Sequence, residues 1–350
     1  MKVTYLIGNG LDIHIGLKTS YQDFYSFLQK NKNEPRGTTQ NQIYNNILNN
    51  HFKIEKQPDD IDWSDFEIAI GQYTSQIDNE VSLEMFINDY EEFIEEFTDF
   101  IENQSKGVTS TSFINNTHKI FNNALQKPIN LEERDQISIH SNFKNNNKDQ
   151  QVRNFIVFNY TEVFDEIYHS WREKEKQTRI VSSIPIHIHG LCQSQVLLGV
   201  NDESQLQGKF CENDTLKIMM VKTLANRSAL SMRFEKATEV VKNSELFIIF
   251  GMSLGDSDKY WWEKIMENLE KNSANKVLIY AYVNERGKLE KYIHRMVEKK
   301  RYWQDKLVKH SKAEDKNQLY NQIFIQFDTE QIFNFDKTIF EENNSSAIVL

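Results

Sequence analysis

The 350 residues are 39% hydrophobic and 12% aromatic, which suffices for a substantial core in one large domain with an insertion or in two domains. The formal net charge of −10 argues against broad electrostatic binding to nucleic acid, which needs a clustered basic surface. Two cysteines, Cys192 and Cys211, exclude a four-cysteine zinc module. No apolar run approaches the roughly 18 residues that span a bilayer, so we expect a cytoplasmic protein without a membrane partner.

Seven apolar runs are typical of β-strands. They are Val3–Ile7, Phe155–Phe158, Ile184–Ile188, Val196–Val200, Leu246–Phe250, Val277–Val283 and Phe324–Phe327. Several runs are continuous rather than alternating, as expected for strands that helices cover on both faces. Helical patterns separate them at Tyr21–Lys30, Glu162–Lys174, Ser228–Lys242 and Lys259–Lys271. This alternation predicts an α/β fold with a parallel, doubly wound sheet.

The region 31–150 differs in character from the rest of the chain. It is polar, and its apolar residues recur at helical spacing, so that Val81 to Phe97 reads as one amphipathic helix. Ser64 and Glu67 have the spacing of a capping box, which predicts a helix that starts just after Trp63. We therefore divide the chain into a first β–α unit (1–30), a helical insertion (31–150) that ends in a mobile loop around Asn142–Gln151, the remainder of the α/β domain (151–330) and a polar tail (331–350).

Four predicted strands end in residues suited to ligand binding, and the ligands of open parallel sheets lie at the carboxyl ends of the strands. The first end carries Gly8-Asn9-Gly10-Leu11-Asp12, whose glycines permit a tight turn and a close approach of the backbone to a diphosphate. The third glycine of the usual dinucleotide fingerprint is absent, because residue 13 is Ile. Asp12 would sit poorly beside phosphate and should face a ribose hydroxyl or cap the helix, and a turn without a ligand is the alternative.

Two further strand ends offer polar side chains. Asn159, in Phe158-Asn159-Tyr160-Thr161, can donate and accept hydrogen bonds, which suits a ribose or an attacking water. The alternative is that Asn159 or Thr161 only caps the following helix. His187 and His189 have period-two spacing and should share one face, where histidine is the usual side chain for proton transfer. Structural histidines are the alternative, and a metal pair would lack a nearby carboxylate or cysteine partner.

The fourth end is the small, polar segment that begins at Gly251, and it suits close approach to a nucleoside. Its Asp256 and Asp258 would either cap the next helix or reach the ligand. Lys222 is a secondary candidate for phosphate contact, with an ordinary surface lysine as the alternative. The basic residues of Arg295–Lys306 are interpreted as a solvated helix face rather than a nucleic-acid site.

Taken in order along nearly the whole chain, six motifs form a specific combination. They are Gly8-Asn9-Gly10-Leu11-Asp12 with Gly16-Leu17-x-Thr19-Ser20-Tyr21-x-x-Phe24, Trp63-Ser64-Asp65-x-Glu67, Phe158-Asn159-Tyr160-Thr161, His187-Ile188-His189-Gly190, Gly199-Val200-Asn201-Asp202 and Gly251-x-Ser253-Leu254-Gly255-x-x-Asp258. This combination resembles the AbiH abortive-infection family of bacterial antiphage proteins. That family is in turn similar to the sirtuin-like nucleotide-binding fold, which implies a Rossmann-like core and NAD as the ligand.

The resemblance to sirtuins implies a role for each strand end. A G-A-G-x-S loop that holds the cofactor diphosphate is matched at residues 8–12, with Asn9 and Asp12 in place of Ala and Ser. Asn159 matches an asparagine that attends the nicotinamide ribose, although the Asp of that N-x-D motif is Thr161 here. His189 matches the catalytic histidine that precedes a glycine.

The resemblance also implies an activity. A G-T-S-L stretch on the adenosine side is matched by Gly251-Met252-Ser253-Leu254, whereas the zinc ribbon of the protein deacylases is absent. It therefore implies an antiphage NAD glycohydrolase without a metal, and a sensor that binds the nucleotide without hydrolysis is the alternative. The expected catalytic residues are Asn159 and His189, and the expected NAD-binding residues are Gly8, Asn9, Gly10, Asp12, Thr161, His187, Gly251, Ser253 and Asp258. Because a self-killing effector must stay silent until triggered, we also expect a homo-oligomer and a phage-derived activator, with the insertion as lid, sensor or oligomer interface.

Overall fold

The computed structural model describes residues 1–31, 41–49, 61–106, 117, 120–125, 135, 139, 151–174, 180–228, 232–283, 291–327 and 333. Within them the chain is a mixed α/β fold around one sheet of parallel strands. The strands are β1 (Lys2–Ile7), β2 (Gln151–Val157), β3 (Ile180–Ser182), β4 (Ile186–His187), β5 (Leu246–Phe250), β6 (Lys276–Tyr280) and β7 (Ile323–Gln326). Their order is β3-β2-β1-β5-β6-β7, and β4 also pairs with β2.

The sheet is accompanied by α-helices, several of which have both ends among the described residues. They are α1 (Gly10–His14), α2 (Tyr21–Asn31), α3 (Gln42–Asn49), α4 (Trp63–Tyr73), α5 (Glu80–Ser105), α6 (Val163–Lys174), α7 (Asp214–Met220), α8 (Lys222–Ser228), α9 (Arg233–Lys242), α10 (Lys259–Lys271), α11 (Ile293–Val308) and α12 (Asn317–Tyr320). Among these residues no helix is both long and apolar enough to cross a membrane.

The central strands are the continuous apolar runs of the sequence. In β1 the residue Tyr5 lies opposite Phe155 of β2 on one side and opposite Ile248 of β5 on the other. Successive side chains alternate between the two faces, so Tyr5 enters one hydrophobic core and Leu6 enters another. The chain proceeds outward from β1 through β2 to β3 and later returns to β5. The strand order therefore reverses between β1 and β5.

A third core is rich in aromatic rings and forms among helices α2 to α5 (residues 21–105), which are called the helical region below. Helix α5 presents Phe86, Tyr90, Phe93 and Phe97 at spacings of three and four residues, which confirms the predicted amphipathic helix. Phe24 of α2 packs edge-on against Phe93 at a centroid distance of 5.8 Å. This core also receives apolar residues of 192–221, so the helical region and that loop segment are buried together.

Two predicted elements are wrong. Val196–Val200 is not a strand; Val200 makes only an isolated bridge to Val221, and the apolar residues of the run fill the helical core instead of a sheet. The single helix predicted over Ser228–Lys242 is also wrong, because Ser228 ends α8 and α9 begins at Arg233. A continuous apolar pattern does not by itself distinguish burial in a sheet from burial against helices.

The predicted capping box of α4 has the wrong residues. Asp62 is the N-cap, its Oδ1 accepts the N–H of Asp65 at 3.0 Å, and Oδ2 of Asp65 accepts the N–H of Asp62 at 3.0 Å. The side chains of Ser64 and Glu67 therefore take no part in the cap. The loop predicted around Asn142–Gln151 and the tail 331–350 lie outside the described residues, except Gln151 and Phe333.

Candidate functional site

A cavity of about 260 Å³ lies at the carboxyl ends of β1 and β5, where the strand order reverses. The predicted residues in its lining are Gly8, Asn9, Gly10, Asp12, Thr161, His189, Gly251, Ser253 and Asp258. Helix α4 and the loop before it add Asp62, Trp63, Ser64 and Glu67 to the wall. Asn159 and His187 are not among the lining residues. They lie behind the cavity wall, where His187 contacts the carbonyl of Asn159.

The glycines of the first loop are required by a close approach of two backbones. The N–H of Gly8 donates to the carbonyl of Phe250 at 2.9 Å, and the N–H of Gly10 donates to the carbonyl of Gly251 at 2.8 Å. A Cβ on Gly10 would lie 2.4 Å from Cα of Gly251, whose own φ of +69° favours glycine. Two N–H groups expected to face a diphosphate are therefore used within the protein.

Asn9 holds the following loop in place. Its Nδ2 donates to the carbonyl of Thr19 at 2.8 Å, and its Oδ1 accepts from Oγ1 of Thr19 at 2.7 Å. The same carbonyl of Thr19 accepts from Nε1 of Trp63 at 3.0 Å. An asparagine at this position thus connects the glycine loop, residues 19–21 and α4 around one cavity.

Asp12, Asn159 and Thr161 form a buried polar group beside the cavity. Oγ1 of Thr161 donates to Oδ2 of Asp12 at 2.9 Å, so this carboxyl does not cap α1. Within the described residues, Oδ1 of Asp12 and both side-chain polar atoms of Asn159 have no hydrogen bond of normal length and angle, although Asn159 lies close enough to Asp12 to stabilise its carboxylate. Burial raises the pKa of Asp12 to about 7, against the opposing influence of Thr161, Asn159 and His187.

His189 is paired with a carboxylate in the cavity wall. Its Nε2 lies 2.8 Å from Oδ1 of Asp258, and the two side chains are 7% and 15% exposed. Phe158 meets the imidazole edge-on at a centroid distance of 5.3 Å, and Tyr160 stacks on it at 5.9 Å. When Nε2 donates to the carboxylate, Nδ1 of the neutral ring is left as the proton acceptor. The arrangement is that of an oriented general base.

Lys222 and Glu67 extend this pair into a buried network. Nζ of Lys222 lies 3.3 Å from Oδ1 of Asp258 and 2.7 Å from Oε1 of Glu67, which also accepts the N–H of Gly199 at 3.1 Å. Burial alone would raise the pKa of Asp258, but the positive charge of Lys222 and the contact with His189 hold it well below its usual range. Burial raises the pKa of Glu67, whereas the two carboxylates outweigh burial and raise that of Lys222.

Residues 4–280 match the model of the family described as Bacteriophage abortive infection AbiH. The chain belongs to the AbiH family. This membership implies bacteriophage abortive infection, and the matched region runs from β1 to the end of β6, so it contains the whole lining of the cavity. No curated protein matches the sequence.

In this AbiH protein the two neighbouring histidines have separate partners. Nε2 of His187 lies 2.5 Å from Oδ2 of Asp165, and its Nδ1 lies 3.4 Å from the carbonyl of Asn159. The shared face predicted from their spacing is wrong, because β4 ends at His187 and His189 lies beyond it. In the described part of the chain no group of three or more His, Cys, Asp or Glu side chains is arranged to hold a metal ion.

Sequence reasoning missed or misplaced part of the AbiH site. The surface interpretation of Lys222 is wrong, because the residue is 5% exposed and its charge is already paired. The capping role predicted for Glu67 is wrong, because Glu67 is buried beside Phe66 on the apolar face of α4. A carboxylate at an apolar position of a helix is the signal that could have revealed it. The side chain of Asp258 lines the cavity and does not cap α10. Oδ1 of Asp256 instead lies 2.6 Å from Nζ of Lys309.

Proposed function

We propose that this AbiH protein is an NAD glycohydrolase that depletes NAD when phage infection triggers it, and that the cavity is its active site. The observation that carries the proposal is the His189–Asp258 pair in the wall of a cavity where the strand order reverses. The order β3-β2-β1-β5-β6-β7, with β4 set aside, supports the proposal, because doubly wound sheets with this kind of reversal bind dinucleotides at the point where the order reverses.

In the proposed reaction the bond between nicotinamide and C1′ of the ribose breaks, and neutral nicotinamide leaves with the bonding electrons. The ribose passes through an oxocarbenium-like state that water captures, as in glycoside hydrolysis. Nδ1 of His189 takes the proton from the attacking water or from a ribose hydroxyl. Asp258 stabilises the resulting imidazolium, and the proton then passes to solvent.

The unpartnered polar atoms support a ligand rich in hydroxyl groups. A ribose would supply a donor to Oδ1 of Asp12, which lines the cavity, whereas Asn159 lies behind Asp12 and would act on the ribose only through that carboxyl group. The Gly8–Gly10 loop would lie against the diphosphate, although the N–H groups of Gly8 and Gly10 are bonded within the protein, and Gly251 and Ser253 would contact the adenosine side. The volume of about 260 Å³ lies below the roughly 300–1,000 Å³ of most ligand sites, so we expect it to enclose the reacting half of NAD.

A second function is a sensor that binds NAD or ADP-ribose without hydrolysis. The observation that favours it is the presence of Trp63 and Ser64, at the start of α4, in the cavity wall, because a bound nucleotide would contact this helix directly. In this alternative, occupancy of the cavity would signal through α4, which forms part of its wall.

The test is to incubate the purified protein with NAD, alone and with extract of phage-infected cells, and to quantify released nicotinamide. We expect release by the parent, and a decrease of about 10²–10⁴-fold in His189→Gln, the range typical of general-base catalysis. The exposed His294 on α11 provides a matched control, so His294→Gln should behave as the parent. Saturable NAD binding without nicotinamide under either condition would support the sensor, and equal release by His189→Gln would refute the assignment of the base.

A further inference from the structure

Four charged or titratable side chains form an unbroken line from the helical region to the proposed base. Glu67 lies in α4, Lys222 begins α8, Asp258 immediately precedes α10, and His189 follows β4. Nζ of Lys222 lies 2.7 Å and 2.8 Å from the two carboxylate oxygens of Glu67, and 3.3 Å from the same Oδ1 of Asp258 that meets His189 at 2.8 Å. The distances of 3.3 Å and 2.8 Å to one oxygen place the lysine and the imidazole within about 6 Å of each other.

Stability alone is a poor explanation for this line of charges. Lys222 and Glu67 are 5% and 3% exposed, so both ions have lost their hydration. Apolar residues of similar volume usually serve as well or better in such a place, whereas removal of one partner leaves an uncompensated charge. The pair lies against Asp258, so its charges act on the carboxylate that orients the imidazole.

We propose that Glu67 and Lys222 are positioning residues. Through them, the packing of α4 against the cavity sets how readily His189 takes a proton. The inference rests on the proposed role of His189 as the base. When α4 is packed against the cavity, Lys222 is shared between the carboxylates of Glu67 and Asp258. Its positive charge then only partly offsets the negative charge of Asp258, which can stabilise an imidazolium at His189. When α4 withdraws, Glu67 leaves with it, and Lys222 neutralises Asp258 alone. The helical region then acts as a silencing device.

Helix α4 makes its own contacts with the loop that precedes Asp258. Oγ of Ser64 accepts the N–H of Ser257 at 3.3 Å, one residue before Asp258. A Cβ on Gly255 would lie 2.1 Å from the same Oγ, so glycine permits the helix to approach this loop. Trp63 and Ser64 both line the cavity, which gives an incoming ligand direct access to the end of α4.

The decisive variants shift the pH profile of nicotinamide release in opposite directions. Lys222→Met removes the positive charge, so the imidazolium is favoured and the acid limb should move to higher pH by about one unit. Glu67→Gln removes a negative charge, so the limb should move to lower pH. The double variant leaves no unpaired lysine and should lie between them. Lys217 forms an ion pair with Glu212 elsewhere, so Lys217→Met should leave the profile unchanged.

A second readout does not depend on catalysis. The histidine Cε1–H resonances of the intact protein are followed by NMR as the pH changes, and the signal of His189 is the one missing from His189→Gln. We expect its midpoint to move upward in Lys222→Met and downward in Glu67→Gln. Unmoved midpoints in the folded single variants would overturn the inference, and so would a double variant whose midpoint lies outside the range that the single variants span. If the parent releases no nicotinamide under any condition, the proposed function fails, while the NMR titration still decides the role of Glu67 and Lys222.

Discussion

Asp12 and Asp258 are carboxyl groups of the same cavity wall, and their surroundings move their pKa values in opposite directions. Burial raises the pKa of Asp12 to about 7. Asp258 is also desolvated, but Lys222 and His189 reverse the effect and hold its pKa well below the usual range. Carboxyl groups separated in this way are typical of acid–base sites, because one keeps its proton while the other stays ionised.

Asp12 should make the folded protein less stable as the pH rises. Its pKa is about 7 in the folded protein, against a value of 3.8 without the protein environment, so the folded state binds the extra proton between these values. Stability from this group is fully present below pH 3.8 and is lost as the pH rises through about 7. Over that window the loss amounts to about 4 kcal/mol.

Chemical denaturation at pH 5 and pH 8 tests this expectation. The parent should lose more unfolding free energy between the two conditions than Asp12→Asn, which keeps the acceptor for Thr161 but does not titrate. The exposed Asp315 is a suitable control, and Asp315→Asn should keep the slope of the parent. Equal slopes for the parent and Asp12→Asn would contradict the raised pKa.

At the scale of single residues, the sequence predicted much of the cavity wall but not the chemistry between its members. The glycines, Asp12, His189 and Asp258 were found because they follow strands. The charged groups behind Asp258 could not be found in this way, since Glu67 and Lys222 come from helices far apart in sequence. Which side chains satisfy a buried charge depends on tertiary packing that periodicity does not encode.

Among the elements, the contact between the loops after β1 and β5 shapes the cavity. Gly251 has φ of +69°, and a Cβ there would lie 2.7 Å from the backbone nitrogen of Leu11. Gly251→Ala should therefore cost about 1–3 kcal/mol of stability and weaken NAD binding as the loops separate. Thermal unfolding and calorimetric titration with NAD measure the two effects.

A matched glycine separates stability from binding. Gly208 also has a left-handed backbone, with φ of +84°, and its Cβ would lie 2.8 Å from Cα of Ser75, but it does not line the cavity. Gly208→Ala should lower stability and leave the affinity for NAD unchanged. A comparable loss of affinity in both variants would contradict a specific role of the β1–β5 loop contact.

Helix α5 connects the helical core to His189 through aromatic rings. Phe97 meets Tyr160 edge-on at a centroid distance of 5.1 Å, and Tyr160 stacks on the imidazole at 5.9 Å. Phe97→Ala and Phe86→Ala should each cost about 3–5 kcal/mol, because both rings are fully buried. Under conditions where both variants remain folded, only Phe97→Ala should slow nicotinamide release. Equal effects on release would refute this connection.

At the scale of the whole molecule, a cavity lies where the sheet, the helical region and the loop after β5 meet. The parallel sheet was predictable, because β1, β5 and β6 are short, mostly apolar runs that alternate with helical patterns along the chain, as in a sheet that helices cover on both faces. The packing of α4 against the loop after β5 was not predictable. Glu67 and Ser64 meet their partners across more than a hundred residues of sequence, and hydrophobic spacing does not specify such contacts.

If the His189–Asp258 pair performs the chemistry of an NAD-cleaving site, substitution of the two aspartates of one turn, Asp256 and Asp258, should have opposite outcomes. Asp258 faces His189, whereas Asp256 is half exposed and pairs with Lys309. Nicotinamide release from NAD is measured for the parent, Asp258→Asn and Asp256→Asn at equal protein concentration. We predict that Asp256→Asn releases nicotinamide as the parent does, and that Asp258→Asn is slower by about 10²-fold or more. Release by Asp258→Asn at the rate of the parent would contradict the account.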